Sequence, residues 1–225
     1  MSSAASPWLL ALHSSSEVLG VGLQRLGGSE PPRLQAFPEG RGLSNSLLGC
    51  VEELLPAADW PSLGRLAVAT GPGGFTGTRL TVVFARTLAQ QLQLPLDGVS
   101  SFLLIARRLL AAAAVPAGGK GQPAGGAGQP GEPFWLLQEL PRRGVVAGRY
   151  APDRLEPGGV AELEQPRLFS GPEALPAAGR LPAQVLLPHD VGELLAISQA
   201  RAAAGLAAPW QPVLPLYPTS PVDPR

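Results

Sequence analysis

Lysine is almost missing from this chain: of 17 basic residues in 225, only Lys120 is a lysine. It stands in a Gly/Pro-rich stretch, which excludes a phosphate loop built on lysine and makes a lysine nucleophile a poor reading. Cysteine is as scarce. Cys50 stands alone, so no disulfide within the chain and no thiolate metal cluster can form. The two histidines, His13 and His189, are far apart and give no pair at helical spacing. Net charge is zero and the pI is about 6.7, so the basic excess with which a protein binds tRNA on its own is lacking. No apolar run is long enough to span a bilayer. Met1–Ser6 lacks the basic region and apolar core of a signal peptide. The expectation is a cytoplasmic protein with no membrane contact.

Glycine and proline, by contrast, are abundant: 28 and 26 residues, about a quarter of the chain. That level marks low complexity somewhere, and VPAGGKGQPAGGAGQPGEP is where the pattern vanishes. Residues 114–133 are therefore expected to be a flexible insert. The remaining chain, with 45% apolar residues overall, can bury a core.

On either side of the insert the pattern is regular. Trp8–Leu12, Val18–Leu23 and Arg33–Phe37 read as three short strands separated by turns. Ser44 is a candidate N-cap for a helix carrying Leu47, Leu48, Val51, Leu54 and Leu55, which Pro56 ends. Arg65–Thr70 is a buried strand and a glycine-rich turn follows it. A second helix runs to about Leu92, Leu96–Val99 is a strand, and Ser100 caps a third helix. The order is βββαβαβα over residues 7–113. Beyond the insert, Phe134–Leu140 and Gly144–Tyr150 read as a hairpin across Pro141–Arg143. Gln184–Leu187 reads as a strand, and Asp190 as the cap of a final helix to about Ala204. Residues 134–225 are expected to form a smaller second lobe holding that helix and an extended tail.

The turn ATGPGGFTGTRL (Ala69–Leu80) joins a strand to a helix, a geometry that aims backbone N–H groups at an anion. Gly71, Gly73, Gly74, Thr76 and Gly77 are the candidate phosphate contacts, with Thr76 as the helix cap. A phosphate loop would need lysine where Thr78 follows Gly77. A dinucleotide fingerprint would need an acid some twenty residues on; Asp97 stands there, but the glycine spacing does not fit. A plain strand-to-helix turn remains the competing reading.

That segment, with LPLDGVSS after it, resembles the signature of the TsaB (YeaZ) family, usually G-P-G-S-F-T-G-x-R. LLALHSSSEVLGVGL is similar to the family's opening, QELPRRGVVAGRY to its later strand pair, and VLPLY to its C-terminal P-x-Y. The resemblance implies an α/β fold of the ribonuclease-H-like kind shared by actin, sugar kinases and Hsp70, in two similar lobes with the second reduced. It further implies a non-catalytic subunit that pairs with TsaD, which transfers threonylcarbamoyl to adenosine 37 of tRNA, and that works with the ATPase TsaE. The tRNA would be reached only through the complex, and a homodimer could use the same surface. No intrinsic cofactor is implied. ATP or ADP held at a shared interface, or an enzyme of this fold acting alone, are the alternatives.

The residues agree with a subunit lacking its own chemistry. Kinases of this fold place an aspartate at the end of the first strand, where this chain has His13, and neutral imidazole does not hold hydrated magnesium as a carboxylate does. No catalytic or metal-binding residue is assigned. Cys50 reads as a small buried hydrophobe, and Glu52 and Glu53 as solvated. Tyr150, Glu139 and Asp153 offer polar contacts without a defined chemistry. The partner surface is assigned to the first two helices: Leu47, Val51, Leu54, Thr78, Arg79, Val82 and Arg86. On this reading Leu80, Val83, Leu88 and Leu92 face the sheet, whereas Val82, Ala85, Arg86 and Ala89 do not. Leu47→Glu or Val82→Glu should then abolish association and leave the fold intact.

Overall fold

The computed structural model describes residues 6–114 and 132–218, so nearly all of the expected insert lies outside the described residues. The chain divides into two units, 1–101 with 185–216, and 102–184 with 217–225.

The first unit is built on a five-stranded sheet. Its strands are β1 (Trp8–His13), β2 (Leu19–Arg25), β3 (Arg33–Phe37), β4 (Leu63–Ala69) and β5 (Leu96–Val99), in the order β3-β2-β1-β4-β5. β1 pairs antiparallel with β2 and parallel with β4. The first three strands follow the short turns the sequence supplies, whereas β4 and β5 need helical crossovers. Those are α1 (Leu43–Leu54) and α2 (Phe75–Leu92), and α3 (Ser101–Ala114) follows β5. The expected βββαβαβα order stands.

Alternation along the strands sorts the side chains onto two faces. Leu10, Leu12, Leu19, Val21, Leu23, Leu66, Val68 and Leu96 form one core with Leu47, Val51 and Leu54 of α1 and Val82, Ala85 and Ala89 of α2. The opposite face is lined by small residues, among them Ala11, Gly20, Gly22 and Ala67. Against it lies α4 (His189–Ala203), with Val191 and Leu195 over Gly20 and Gly22. This corrects the assignment of the last helix to the second lobe: α4 belongs to the first unit. A polar lock secures it. Arg65 on β4 forms a two-pronged pair with Asp97 on β5, at 2.7 and 3.1 Å. The Ser198 hydroxyl of α4 donates to the same carboxylate, and Arg201 lies 3.6 Å from it.

The second unit carries β6 (Phe134–Leu140), β7 (Gly144–Pro152), β8 (Val160–Phe169) and β9 (Arg180–Pro182), ordered β8-β7-β6-β9. β6 is antiparallel to β7 and parallel to β9. This repeats the first sheet's pattern without its fifth strand. The β6–β7 hairpin forms as expected. β8 was not anticipated, because Pro166 interrupts its pattern. The strand tolerates proline at the sheet edge, where the pairing register shifts. The strand expected at Gln184–Leu187 is absent, and β9 forms upstream instead. Trp135, Val145, Ala147 and Leu175 form an apolar cluster on one face of this sheet, while Leu136, Val146 and Tyr150 are buried as well. α3 from Phe102 onward belongs to this unit, and its Arg107 Nε donates to the Gly158 carbonyl at 3.0 Å.

Three helix starts depart from the expected caps, whereas α3 begins directly after Ser100. α1 begins at Leu43 after Gly42, and α2 at Phe75 after Gly74, neither with a side-chain cap. Ser44 and Thr76 thus sit inside the first turns. Asp190 likewise lies within α4, its carboxylate accepting the Leu186 N–H at 2.7 Å.

Candidate functional site

The glycine-rich turn does come together as a strand-to-helix junction, and its concavity is occupied by the chain itself. Gly71 has a φ of +98°, a conformation that suits only glycine. A Cβ on Gly73 would lie 2.2 Å from the Ser15 carbonyl oxygen. The Gly74 N–H, one of the groups expected to face an anion, donates to that carbonyl at 2.8 Å. Gly77 lets α2 approach the Ser14 backbone. The hydroxyls around the turn also serve one another: Ser15 with Ser101 at 2.6 Å, Ser14 with Thr81 at 3.0 Å, and Thr78 to Ser15 at 3.5 Å. The loop after β1 therefore packs closely against the turn at Gly73, Gly74 and Gly77. The turn fixes the direction in which α2 leaves the sheet.

His13 ends β1 opposite Gly20, on the face that α4 covers. It is fully buried, and burial lowers its pKa to about 3. Its Nδ1 accepts the Ser15 N–H at 3.3 Å, which puts the proton of the neutral ring on Nε2. Among the described residues, Nε2 has no hydrogen-bond partner. Asp97, the acid at dinucleotide spacing, is committed to Arg65 and 4% exposed. Tyr150 is buried and donates to Glu162 at 2.9 Å. Among the described residues, no group of three or more His, Cys, Asp or Glu side chains could hold a metal ion. No helix among them is long and apolar enough to cross a membrane.

The partner surface needs the larger correction. Of the seven residues assigned to it, Leu47, Val51, Leu54, Thr78 and Val82 are buried in the unit's own interior, Val82 completely. Arg86 lies against the tail, its guanidinium donating to the Gln211 carbonyl at 3.3 Å and lying 6.0 Å from the Trp210 ring centre. Only Arg79 is exposed. The helical phase of α2 departs from the expected one at Val82, Val83, Ala85 and Ala89, whereas Leu88 is buried as expected and Leu80 and Leu92 are partly buried against the same core. Thr81, Val82, Ala85 and Ala89 face inward because small side chains let the helix sit close to the sheet, and Val83 faces out. The apolar residues that do reach solvent are Leu48 on α1 and Phe75 and Val83 on α2, each about half exposed. Phe75, Thr76, Arg79, Leu80 and Val83 line a shallow groove of about 390 Å³. Leu48 lay in the sequence as one of five leucines and valines of α1. Its outward position follows from burial of Leu47, Val51 and Leu54 on the other side.

Comparison with known proteins agrees with the fold. The family model described as "TsaD: tRNA N6-adenosine threonylcarbamoyltransferase" matches residues 38–119. A Bacillus subtilis (strain 168) protein named tRNA threonylcarbamoyladenosine biosynthesis protein TsaB is 31% identical over 100 residues, 44% of this chain and 43% of that one. The Escherichia coli (strain K12) protein of the same name is 26% identical over 159 residues, 70% of this chain and 66% of that one. The chain thus spans less than two thirds of the curated relatives it matches. Among solved structures, a Pseudomonas aeruginosa protein described as similar to peptidase YEAZ superposes with a TM-score of 0.70 at 22% identity, covering 95% of this chain and all of that one. YeaZ from Pseudomonas aeruginosa superposes with a TM-score of 0.68, also at 22% identity, over 94% of this chain and 99% of that one. The fold is of the α/β, actin-like kind. With its sheet order, its glycine-rich strand-to-helix turn and these likenesses, the chain is similar to the proteins named TsaB and YeaZ.

Proposed function

We propose that this chain is a non-catalytic scaffold in the machinery that makes N6-threonylcarbamoyladenosine at position 37 of tRNA, where it docks on a TsaD-like transferase. The observation that carries the reading is the outer face of α1 and α2. There Leu48, Phe75 and Val83 stand half exposed beside a turn that packs on Ser14 and Ser15. Apolar side chains aligned on neighbouring helices are the usual form of a helix-docking surface. Each, once buried in a complex, could contribute roughly 1.5–3 kcal/mol before association costs. His13, held neutral in an apolar setting, supplies none of the charge that phosphoryl transfer requires. A TsaE-like ATPase completes the assembly, and tRNA is met only within it.

Reconstitution tests this directly. Modification of tRNA by the same organism's TsaD-type subunit is expected to depend on this chain. Leu48→Glu with Val83→Glu is expected to leave modification at the level seen without the chain, by preventing binding. Full modification without the chain would overturn the proposal.

A further inference from the structure

The groove on α2 contains one charged residue among its lining. Arg79 stands between Phe75, Leu80 and Val83, and is solvent-exposed. It makes no hydrogen bond or ion pair with any described residue. α2 itself (FTGTRLTVVFARTLAQQL) contains no aspartate or glutamate. A partner that covers Phe75 and Val83 must also take this guanidinium out of water. Leaving it unpaired there is strongly unfavourable, so the partner has to return a negative charge at that point.

We infer that the occupant of this groove is a different protein, whose docking helix presents an aspartate or glutamate to Arg79 within otherwise apolar contact. This rests on the docking reading given above and names the chemistry the partner's surface must have. A phosphate backbone fits less well, because nucleic-acid binding draws on several cations and this groove offers one among apolar walls. A second copy also fits less well. Two-fold pairing brings two Arg79 side chains into a single interface, and α2 supplies no acid to meet them. Of the acids on α1, Glu53 already accepts a hydrogen bond from Gln35 at 2.9 Å, which leaves the half-buried Glu52.

Calorimetric titration of the TsaD-type subunit with the wild-type chain, Arg79→Met and Arg79→Glu tests the inference. Arg79→Met keeps the length and apolar reach of the side chain and removes the charge. It is expected to weaken binding about thirtyfold or more, Arg79→Glu further still, and thermal unfolding of both free variants should match wild type. Binding of Arg79→Met that equals or exceeds wild type overturns the inference while leaving the docking reading intact. Failure of the wild-type chain to bind removes both. Sedimentation of the free chain gives the remaining outcome: a dimer that Arg79→Glu dissociates and the added Glu52→Arg restores would make the occupant a second copy, against the inference.

Discussion

His13 shows how much the setting of a single residue depends on sequence far from it. Its place at the strand end excluded a metal-binding carboxylate from the outset. Its complete burial could not be foreseen, because the covering helix α4 is 176 residues further on. With a folded pKa near 3 against 6.5 in the open chain, His13 binds its proton more readily when unfolded. Stability is thus unaffected above about pH 6.5 and declines as pH falls from there toward 3, by up to about 1.4 kcal/mol per pH unit for this one proton. Denaturant titrations at pH 8, 6 and 5 should show that decline in wild type. His13→Asn retains an acceptor for the Ser15 N–H and cannot take up the proton, so its stability should change less over the same range by about one proton's slope. Parallel curves for the two proteins would refute the assignment. The glycines of the turn were legible too, since Gly71 and Gly73 each occupy a position no other residue fits. That the turn is closed by Ser14 and Ser15 was not legible, because the loop that fills it precedes it by more than fifty residues.

At the level of elements, the helix order came directly from apolar spacing, whereas the phase of α2 did not. Its buried face holds Thr78, Thr81, Val82, Ala85 and Ala89 beside a single leucine, Leu88, and such small residues give a weak signal beside Leu80, Val83 and Phe84. Sheet packing favours them because a helix can approach closely only where its side chains are short. Neighbouring valines therefore have opposite fates. Val82→Glu buries an unpaired carboxylate and should cost more than about 4 kcal/mol, leaving little folded protein. Val83→Glu should unfold within about 0.5 kcal/mol of wild type and lose binding to the TsaD-type subunit. Thermal melts paired with pull-down separate the two, and a folded Val82→Glu would contradict the assigned phase. Asp97 belongs to this scale as well. It joins β5, β4 and α4, and Asp97→Ala leaves Arg65, 6% exposed, without its counter-charge. A loss of about 3–5 kcal/mol is expected by denaturant unfolding, and a loss under 1 kcal/mol would mean that water reaches Arg65.

Over the whole chain, the first sheet is completed by sequence lying beyond the second. The first unit is interrupted after Ser101 and resumes at Val185, and α3 from Phe102 belongs to the second. Local periodicity reveals that a helix exists but carries no record of which sheet it covers. That is why α4 was assigned to the segment that precedes it. The small residues of β1 and β2 held the missing clue: Ala11, Gly20 and Gly22 make a face too shallow to pack on anything but a close-lying helix. A fragment ending at Gln184 would keep all five strands of the first sheet with α1 and α2. It would lose Val191, Leu194, Leu195 and Ile197, all almost fully buried, together with the Ser198 and Arg201 contacts to Asp97. At roughly 1.5–3 kcal/mol for each large apolar side chain, the loss is comparable to the total stability of a domain. Within that fragment the amides of β1, β2 and β4 should therefore lose their protection from hydrogen exchange. A chain joining residues 1–101 to 185–216 through a short flexible linker should recover that protection, because it restores the helix to the face it covers. Full protection of β1, β2 and β4 in the 1–184 fragment would show instead that α4 is dispensable to the first sheet.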